Sequence, residues 1–249
     1  PGLVVTVTRG ADDTSGEGAT EELARIEAVP GEAVRTTLDV ATQDAAEAAL
    51  VGEERPASLV AVRASTGEVL AVANAPSGTT AAIGLTGRVA PGSTFKVVTT
   101  LALLRHGLSV DEPVACPATA DVGGREFRNA GGSSLADARF RDDFAVSCNT
   151  AFVTLSEGLG PDDLTTAGRA FGLGVTWDAG LDAYVGSVPP TEGATDAAAA
   201  SIGQGRIQVS PVGMAMVAAT VASGTWRPPV IVADPAPPSN SEPVALDPA

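Results

Sequence analysis

The chain has few of the residues that enzymes most often use to move protons or hold metals. Among its 249 residues there is one lysine, Lys96, one histidine, His106, and two cysteines, Cys116 and Cys148. A zinc site of ordinary ligands would need most of these together, and their spacing does not offer it, so no metal or other cofactor is expected. His106 lies in Leu-Leu-Arg-His-Gly, where a helix is expected to stop and a cation is favoured. If Ser93 and His106 share that helix, a rise of ~1.5 Å per residue puts them roughly 20 Å apart, which argues against a Ser-His-Asp triad on Ser93. Positive charge is short as well. A formal net charge of −15 argues against nucleic acid and against an anionic membrane face. Aromatic residues make up 4%, and no apolar run approaches the ~20 residues that span a bilayer. No secretory leader is legible. At 44% hydrophobic, largely alanine and valine, the chain can still bury a sizeable core in one large or two smaller domains.

Against that scarcity, the position of the lone lysine matters. Every other basic residue is arginine apart from His106, and arginine cannot lose its proton in a protein, whereas a desolvated lysine can become a neutral amine. Lys96 follows Ser93 by three residues in Pro-Gly-Ser-Thr-Phe-Lys, at the start of an apolar helical run. Three residues is close to one helical turn, so the hydroxyl and the amine share a face, as a nucleophile and its base would. The plainer reading makes Ser93 an N-cap, a place serine favours.

The elements around it can be read in order. Residues 3–8 are β-branched and predict a strand, 10–22 a loop, and 33–38 a second strand that could pair with the first. Asp39 caps an alanine-rich helix to about Leu50. Two apolar runs within 58–74, around Ala-Ser-Thr-Gly-Glu, predict a hairpin. Residues 75–92 predict a loop, and a buried helix runs from Ser93 to about His106. Residues 108–143 look irregular, with a helix near 135–139. Ala145-Val-Ser-Cys-Asn-Thr leads into an apolar helix to about Leu159, and further helices are expected from Asp162 or Asp163 to near Gly172 and over 197–201. A last one starts at Ser210-Pro211 and stops at Gly224. Residues 234–243 predict a flexible loop.

A second chemical element is Ser147-Cys148-Asn149. Alone, such a triplet reads as helix capping. Following Ser-x-x-Lys at this distance, it resembles the second motif of the transpeptidase domain of penicillin-binding proteins, of the high-molecular-weight, monofunctional class B type. Thr36-Thr37-Leu38-Asp39 with Gln43, Ser65-Thr66-Gly67-Glu68-Val69-Leu70-Ala71, Ile202-Gly203-Gln204-Gly205 and the Ser210-Pro211 helix extend the resemblance from about residue 33 to the end. It implies an α+β fold of the β-lactamase/transpeptidase type: an antiparallel sheet flanked by helices, with an α-helical subdomain. It also implies acyl transfer. Ser93 would attack a D-alanyl-D-alanine stem peptide of peptidoglycan, Lys96 would take its proton, Ser147 would relay a proton to the leaving group, and Asn149 would hold the substrate amide. β-Lactams would acylate Ser93. Partners implied are stem peptides, β-lactam antibiotics, and glycosyltransferase, divisome or elongasome proteins, at the outer face of a bacterial cell membrane. A β-lactam sensor and a non-catalytic cell-wall scaffold share the fold and stand as alternatives.

The third motif of that family, Lys-Thr-Gly, is absent, because Lys96 is the only lysine. The expectation is therefore a domain at 33–249 that lacks its C-terminal strands, preceded by a remnant of a non-catalytic region at 1–32. The remaining C-terminal segment and an N-terminal anchor would lie outside these residues. For Cys116 and Cys148 two readings stay open: small buried apolar residues, or a disulfide that would tether the second motif.

Overall fold

The computed structural model describes residues 3–8, 20–28, 31–237 and 241–246. They divide into two units, Pro1–Val34 and Arg35–Ala249. In the first, β1 (Leu3–Thr8) pairs antiparallel with β2 (Thr20–Ile26), Leu3 opposite Ile26. The partner of the first strand is thus not 33–38, and the expected loop gives way to strand at Thr20; its residues 10–19 lie outside the described set. Thr-Glu-Glu-Leu-Ala-Arg-Ile has no strong strand propensity, and pairing with β1 overrides it.

The second unit begins with β3 (Arg35–Thr36), which pairs with a strand near the other end of the chain (Val232–Asp234). Next comes α1 (Val40–Ala49), started by Asp39, whose carboxylate accepts the Thr42 N–H at 2.9 Å. The expected hairpin is β4 (Ala57–Val62) and β5 (Val69–Ala75), turned at Gly67 with φ 81°. Ala46 of α1 packs on Ala71 and Ala73 of β5, where small side chains let the helix lie close. The outer edge of β5 is not left open. The side-chain amide of Gln43 accepts from the Val72 N–H at 2.8 Å and donates to the Val72 carbonyl at 3.1 Å, as a neighbouring peptide group would. The Asp39 N–H adds a bond to the Leu70 carbonyl.

A short helix, α2 (Ile83–Thr86), interrupts the expected 75–92 loop. Then come a 3-10 turn (Gly92–Phe95) and α3 (Lys96–Arg105). The α3 helix is apolar nearly all round because it lies between two cores. Phe95, Val98, Leu101 and Ala102 pack with Leu164, Ala167 and Phe171, while Leu103 packs with Phe127, Phe140 and Phe152. Residues 108–143 are more ordered than their composition suggests. They form the hairpin β6 (Thr119–Val122) and β7 (Arg125–Arg128), turned at Gly123-Gly124. The helix expected at 135–139 forms instead as α4 (Phe140–Ala145), because Phe140 is pulled into the core against Phe152, their rings 5.4 Å apart.

The remaining helices are α5 (Asn149–Leu155), α6 (Asp163–Ala170), α7 (Ala194–Ser201) and α8 (Pro211–Ser223). Ser210 caps α8 by accepting the Gly213 N–H, and Gly224, at φ 68°, ends it. His106 ends α3 as expected, with its Nε2 2.7 Å from an Asp163 carboxylate oxygen. The chain closes with β8 (Thr225–Trp226), β9 (Val232–Asp234) and β10 (Val244–Ala245), so strand β10 follows directly on the expected terminal loop.

Candidate active site

Ser93 and Lys96 sit at the junction of the 3-10 turn with α3, and the junction separates their environments. Ser93 is exposed, whereas Lys96 is 2% exposed. Ser93 is not an N-cap: its side chain makes no capping bond, and its hydroxyl has no hydrogen-bond partner among the described residues. The turn is fixed from below. The Gly92 N–H donates to the Gly203 carbonyl at 2.9 Å, and Thr94 Oγ1 donates to the Pro91 carbonyl at 2.8 Å. Gly203 comes so near that a Cβ there would meet the Gly92 carbonyl oxygen at 2.1 Å, and its φ of 68° already disfavours any other residue.

The second element reaches Lys96 from the other side. The α4 helix ends in a Schellman arrangement, with the Ser147 N–H on the Phe144 carbonyl at 3.1 Å and the Cys148 N–H on the Asp143 carbonyl at 2.8 Å. Ser147 takes the left-handed position that usually falls to glycine, at φ 58°. That turn throws the chain back so that α5 starts at once from Cys148, and both oxygens of Ser147 face the lysine. Lys96 Nζ donates to the Ser147 carbonyl at 2.7 Å, to Ser147 Oγ at 3.0 Å and to Asn149 Oδ1 at 2.7 Å. The Phe152 ring centre is 5.1 Å away. No carboxylate lies within ion-pair reach of Lys96 among the described residues. Burial therefore acts on the amine unopposed and pulls its pKa down to about 8. The structure brings Lys96, Ser147 and Asn149 together. It leaves Ser93 one turn away without a bond to the lysine, which differs from the expected nucleophile–base pair: the Ser147 and Asn149 acceptors compete for Nζ.

The two cysteines form a disulfide, with their Cα atoms 6.2 Å apart. Behind the second element lies a polar layer that sequence reasoning missed. Buried Asn129, 6% exposed, donates through Nδ2 to the carbonyls of Pro117 (2.9 Å) and Ser133 (2.8 Å) and to Thr150 Oγ1 (3.1 Å). Its Oδ1 accepts the Thr150 N–H at 3.0 Å. The carbonyl of the preceding Arg128 accepts from Asn149 Nδ2 at 3.0 Å. No spacing rule points from residue 129 to residue 149. Asp143 was missed too. It is fully buried beside the disulfide, and neither carboxylate oxygen has a hydrogen-bond partner among the described residues. Desolvation, aided by Asp142, pushes its pKa up to about 6.

Comparison with known proteins gives this geometry a family. The penicillin-binding protein transpeptidase domain matches residues 57–246. The chain is 33% identical over 205 residues to peptidoglycan D,D-transpeptidase PbpA of Mycobacterium tuberculosis, a match covering 69% of this chain and 42% of that protein. It is 31% identical over 207 residues to penicillin-binding protein PbpB of the same organism, covering 76% of this chain and 30% of the relative. The solved structure of penicillin-binding protein A from M. tuberculosis as a penicillin G acyl-enzyme complex superposes with a TM-score of 0.75 at 28% identity, covering 85% of this chain and 58% of that one. These matches span less than half the length of the curated relatives. The β-lactamase/transpeptidase-like fold expected from the two motifs is the one observed, and the chain belongs to the penicillin-binding protein transpeptidase family.

Proposed function

We propose that this chain carries the acyl-transfer site of a peptidoglycan D,D-transpeptidase that β-lactams acylate, with Ser93 as nucleophile and Lys96, Ser147 and Asn149 around it. The observation that carries the reading is the buried Lys96 amine, without a carboxylate, held 2.7–3.0 Å from Ser147 and Asn149 while Ser93 stands exposed on the same turn.

In the arrangement described, Nζ has three acceptors, which suits the ammonium with its three protons. To act as base it must lose one. With a pKa pulled down to about 8, roughly a tenth of it is neutral at pH 7, against less than a thousandth for an ordinary lysine. The neutral amine takes the Ser93 proton as Oγ attacks the carbonyl of the penultimate D-alanine. The C–N bond then breaks, Ser147 passes a proton to the departing D-alanine amine, and an ester remains on Ser93. Asn149, its Nδ2 anchored on Arg128, keeps an amide at the edge of the cleft for the substrate chain. An amine from a second stem peptide attacks the ester, which releases Ser93 and forms the cross-link. With a β-lactam the broken C–N bond lies in the ring, so the leaving amine stays tethered and the ester persists.

The domain would occupy 33–249, with a non-catalytic region before it. It would act at the outer face of the membrane on an anchor outside these residues, alongside glycosyltransferase or divisome and elongasome partners. The Lys-Thr-Gly element would come from sequence outside these 249 residues and join the open side of the β4–β5 hairpin. The test is intact-mass analysis of the full-length native protein after exposure to penicillin. One adduct is expected, lost in Ser93→Ala, and turnover of a D-alanyl-D-alanine thioester separates an enzyme from a receptor. An adduct retained in Ser93→Ala would remove the reading.

A further inference from the structure

We propose that Asn129 is a positioning residue for acyl transfer, setting the orientation of the Asn149 amide and through it the hydrogen bonding of Lys96. The inference rests on the acyl-transfer reading for its catalytic consequence, but its geometry stands by itself.

The residue pair 128–129 grips the pair 149–150 at several points. The Arg128 carbonyl accepts from Asn149 Nδ2 at 3.0 Å, Asn129 Oδ1 accepts the Thr150 N–H at 3.0 Å, and Asn129 Nδ2 donates to Thr150 Oγ1 at 3.1 Å. The grip is itself anchored, because Asn129 Nδ2 also donates to Pro117 and Ser133, and Thr150 Oγ1 donates to the Pro117 carbonyl at 2.7 Å. Asn129 is buried, so these bonds do not compete with water.

The consequence for Asn149 is directional. A primary amide has a donor end and an acceptor end. With the donor end spent on the Arg128 carbonyl, the acceptor end must face Lys96, which it meets at 2.7 Å. A flipped amide would aim its NH2 at the ammonium and leave a carbonyl facing a carbonyl. Asn129 thus excludes the flip by fixing where Arg128 and Thr150 stand. Among the described residues, the groups that face Nζ are the two oxygens of Ser147, Asn149 Oδ1 and the Phe152 ring, and none of these carries charge. One amide orientation therefore decides how well the ammonium is stabilised against the neutral amine.

The amine can be measured without activity. In full-length protein carrying 13Cε-lysine, the Lys96 signal is assigned as the one lost in Lys96→Arg, and its titration reports the amine directly. In Asn129→Ala the midpoint is expected to fall by about one pH unit, as the ammonium loses an ordered acceptor. The maximal rate of acylation by a fluorescent penicillin is expected to drop about 10–100-fold, with its acid limb moving to lower pH by the same amount. Val122→Ala, which trims the core under the β6–β7 hairpin without touching the grip, serves as the stability control and should leave both midpoint and limb in place. An unchanged midpoint in Asn129→Ala, or one that rises as water enters, would overturn the proposal. If wild-type protein is never acylated while the midpoint still falls in the variant, the acyl-transfer reading fails and the control of Lys96 by Asn129 stands.

Discussion

The two turns that meet at Lys96 are built differently. The Ser93 turn is held by local bonds, a 3-10 turn running into α3 with Thr94 Oγ1 on the Pro91 carbonyl, and by one close glycine at Gly203. The Ser147 turn has its own Schellman bonds but adopts a backbone conformation that serine rarely takes, and side chains from far along the chain, the Cys116 disulfide partner and Asn129, support the residues that follow it. The first needs little more than its own sequence and one close neighbour. The second is strained, and holding a non-glycine residue in the left-handed region costs about 1–2 kcal/mol. Tertiary bonds offset that cost. The expected outcome is a firm Ser93 turn and a second turn whose position depends on what lies behind it.

The comparison can be broken most deeply at the residue both turns share. Lys96→Arg keeps the charge and removes the capacity to become neutral. β-Lactam acylation, followed by gel fluorescence, should fall about 10²–10⁴-fold, while the fold, read by circular dichroism, persists. Next comes the Ser147 turn. Replacing both cysteines by alanine opens a bridge between residues 32 apart and should lower stability by about 3–4 kcal/mol in urea unfolding, with loss of acylation ahead of global unfolding. The Ser93 turn is tested by Gly203→Ala. The added Cβ has the Gly92 carbonyl oxygen at 2.1 Å and Phe95 Cβ at 2.7 Å in its way, so a loss of about 2–4 kcal/mol is expected, with Ser93 displaced.

Two smaller effects sharpen the contrast. The Asp143 carboxylate sits buried without a hydrogen-bond partner among the described residues where α4 turns into the second motif, with its pKa pushed up to about 6. An acid whose folded pKa is raised holds its proton more tightly when folded. Its penalty is therefore absent below the unfolded value, near pH 4, grows as pH rises to about 6, and is full above that. Asp143→Ala should stabilise by about 1–3 kcal/mol at pH 8 and by almost nothing at pH 4, measured as the difference in urea midpoints. Stabilisation of equal size at both values would assign the effect to packing instead. Last, the acylation rate of the wild type should rise about tenfold per pH unit up to about pH 8 and then level, because the base must be neutral.

This difference in construction also decides what could be read from the sequence. Ser93 and Lys96 could be singled out as candidates because one helical turn relates them, and local spacing is what a sequence displays. The α1 cap at Asp39, the β4–β5 hairpin and the Ser210-Pro211 start of α8 were legible for the same reason. Ser147 and Asn149 could be singled out only beside the first motif, and the supports behind them could not be found. Asn129 acts on residues about twenty positions away through bonds that no periodicity encodes. The pairing of β1 with β2, and of β3 with β9 from the far end of the chain, is hidden on similar grounds: short strands take their partners from the fold. The helix placed at 135–139 moved to 140–145 because Phe140 had a core to enter.

The Gln43 amide on Val72 has a further consequence, for how the sheet can grow. It covers the middle of the outer edge of β5, beside the Asp39 N–H on the Leu70 carbonyl and the Val69 N–H on the Val230 carbonyl, while β4 offers its outward backbone groups to no partner strand among the described residues. The hairpin is thus a one-sided template. Any strand added later, from this polypeptide or another, has a single berth beside β4, and assembly on the wrong side is blocked before the rest of a sheet exists.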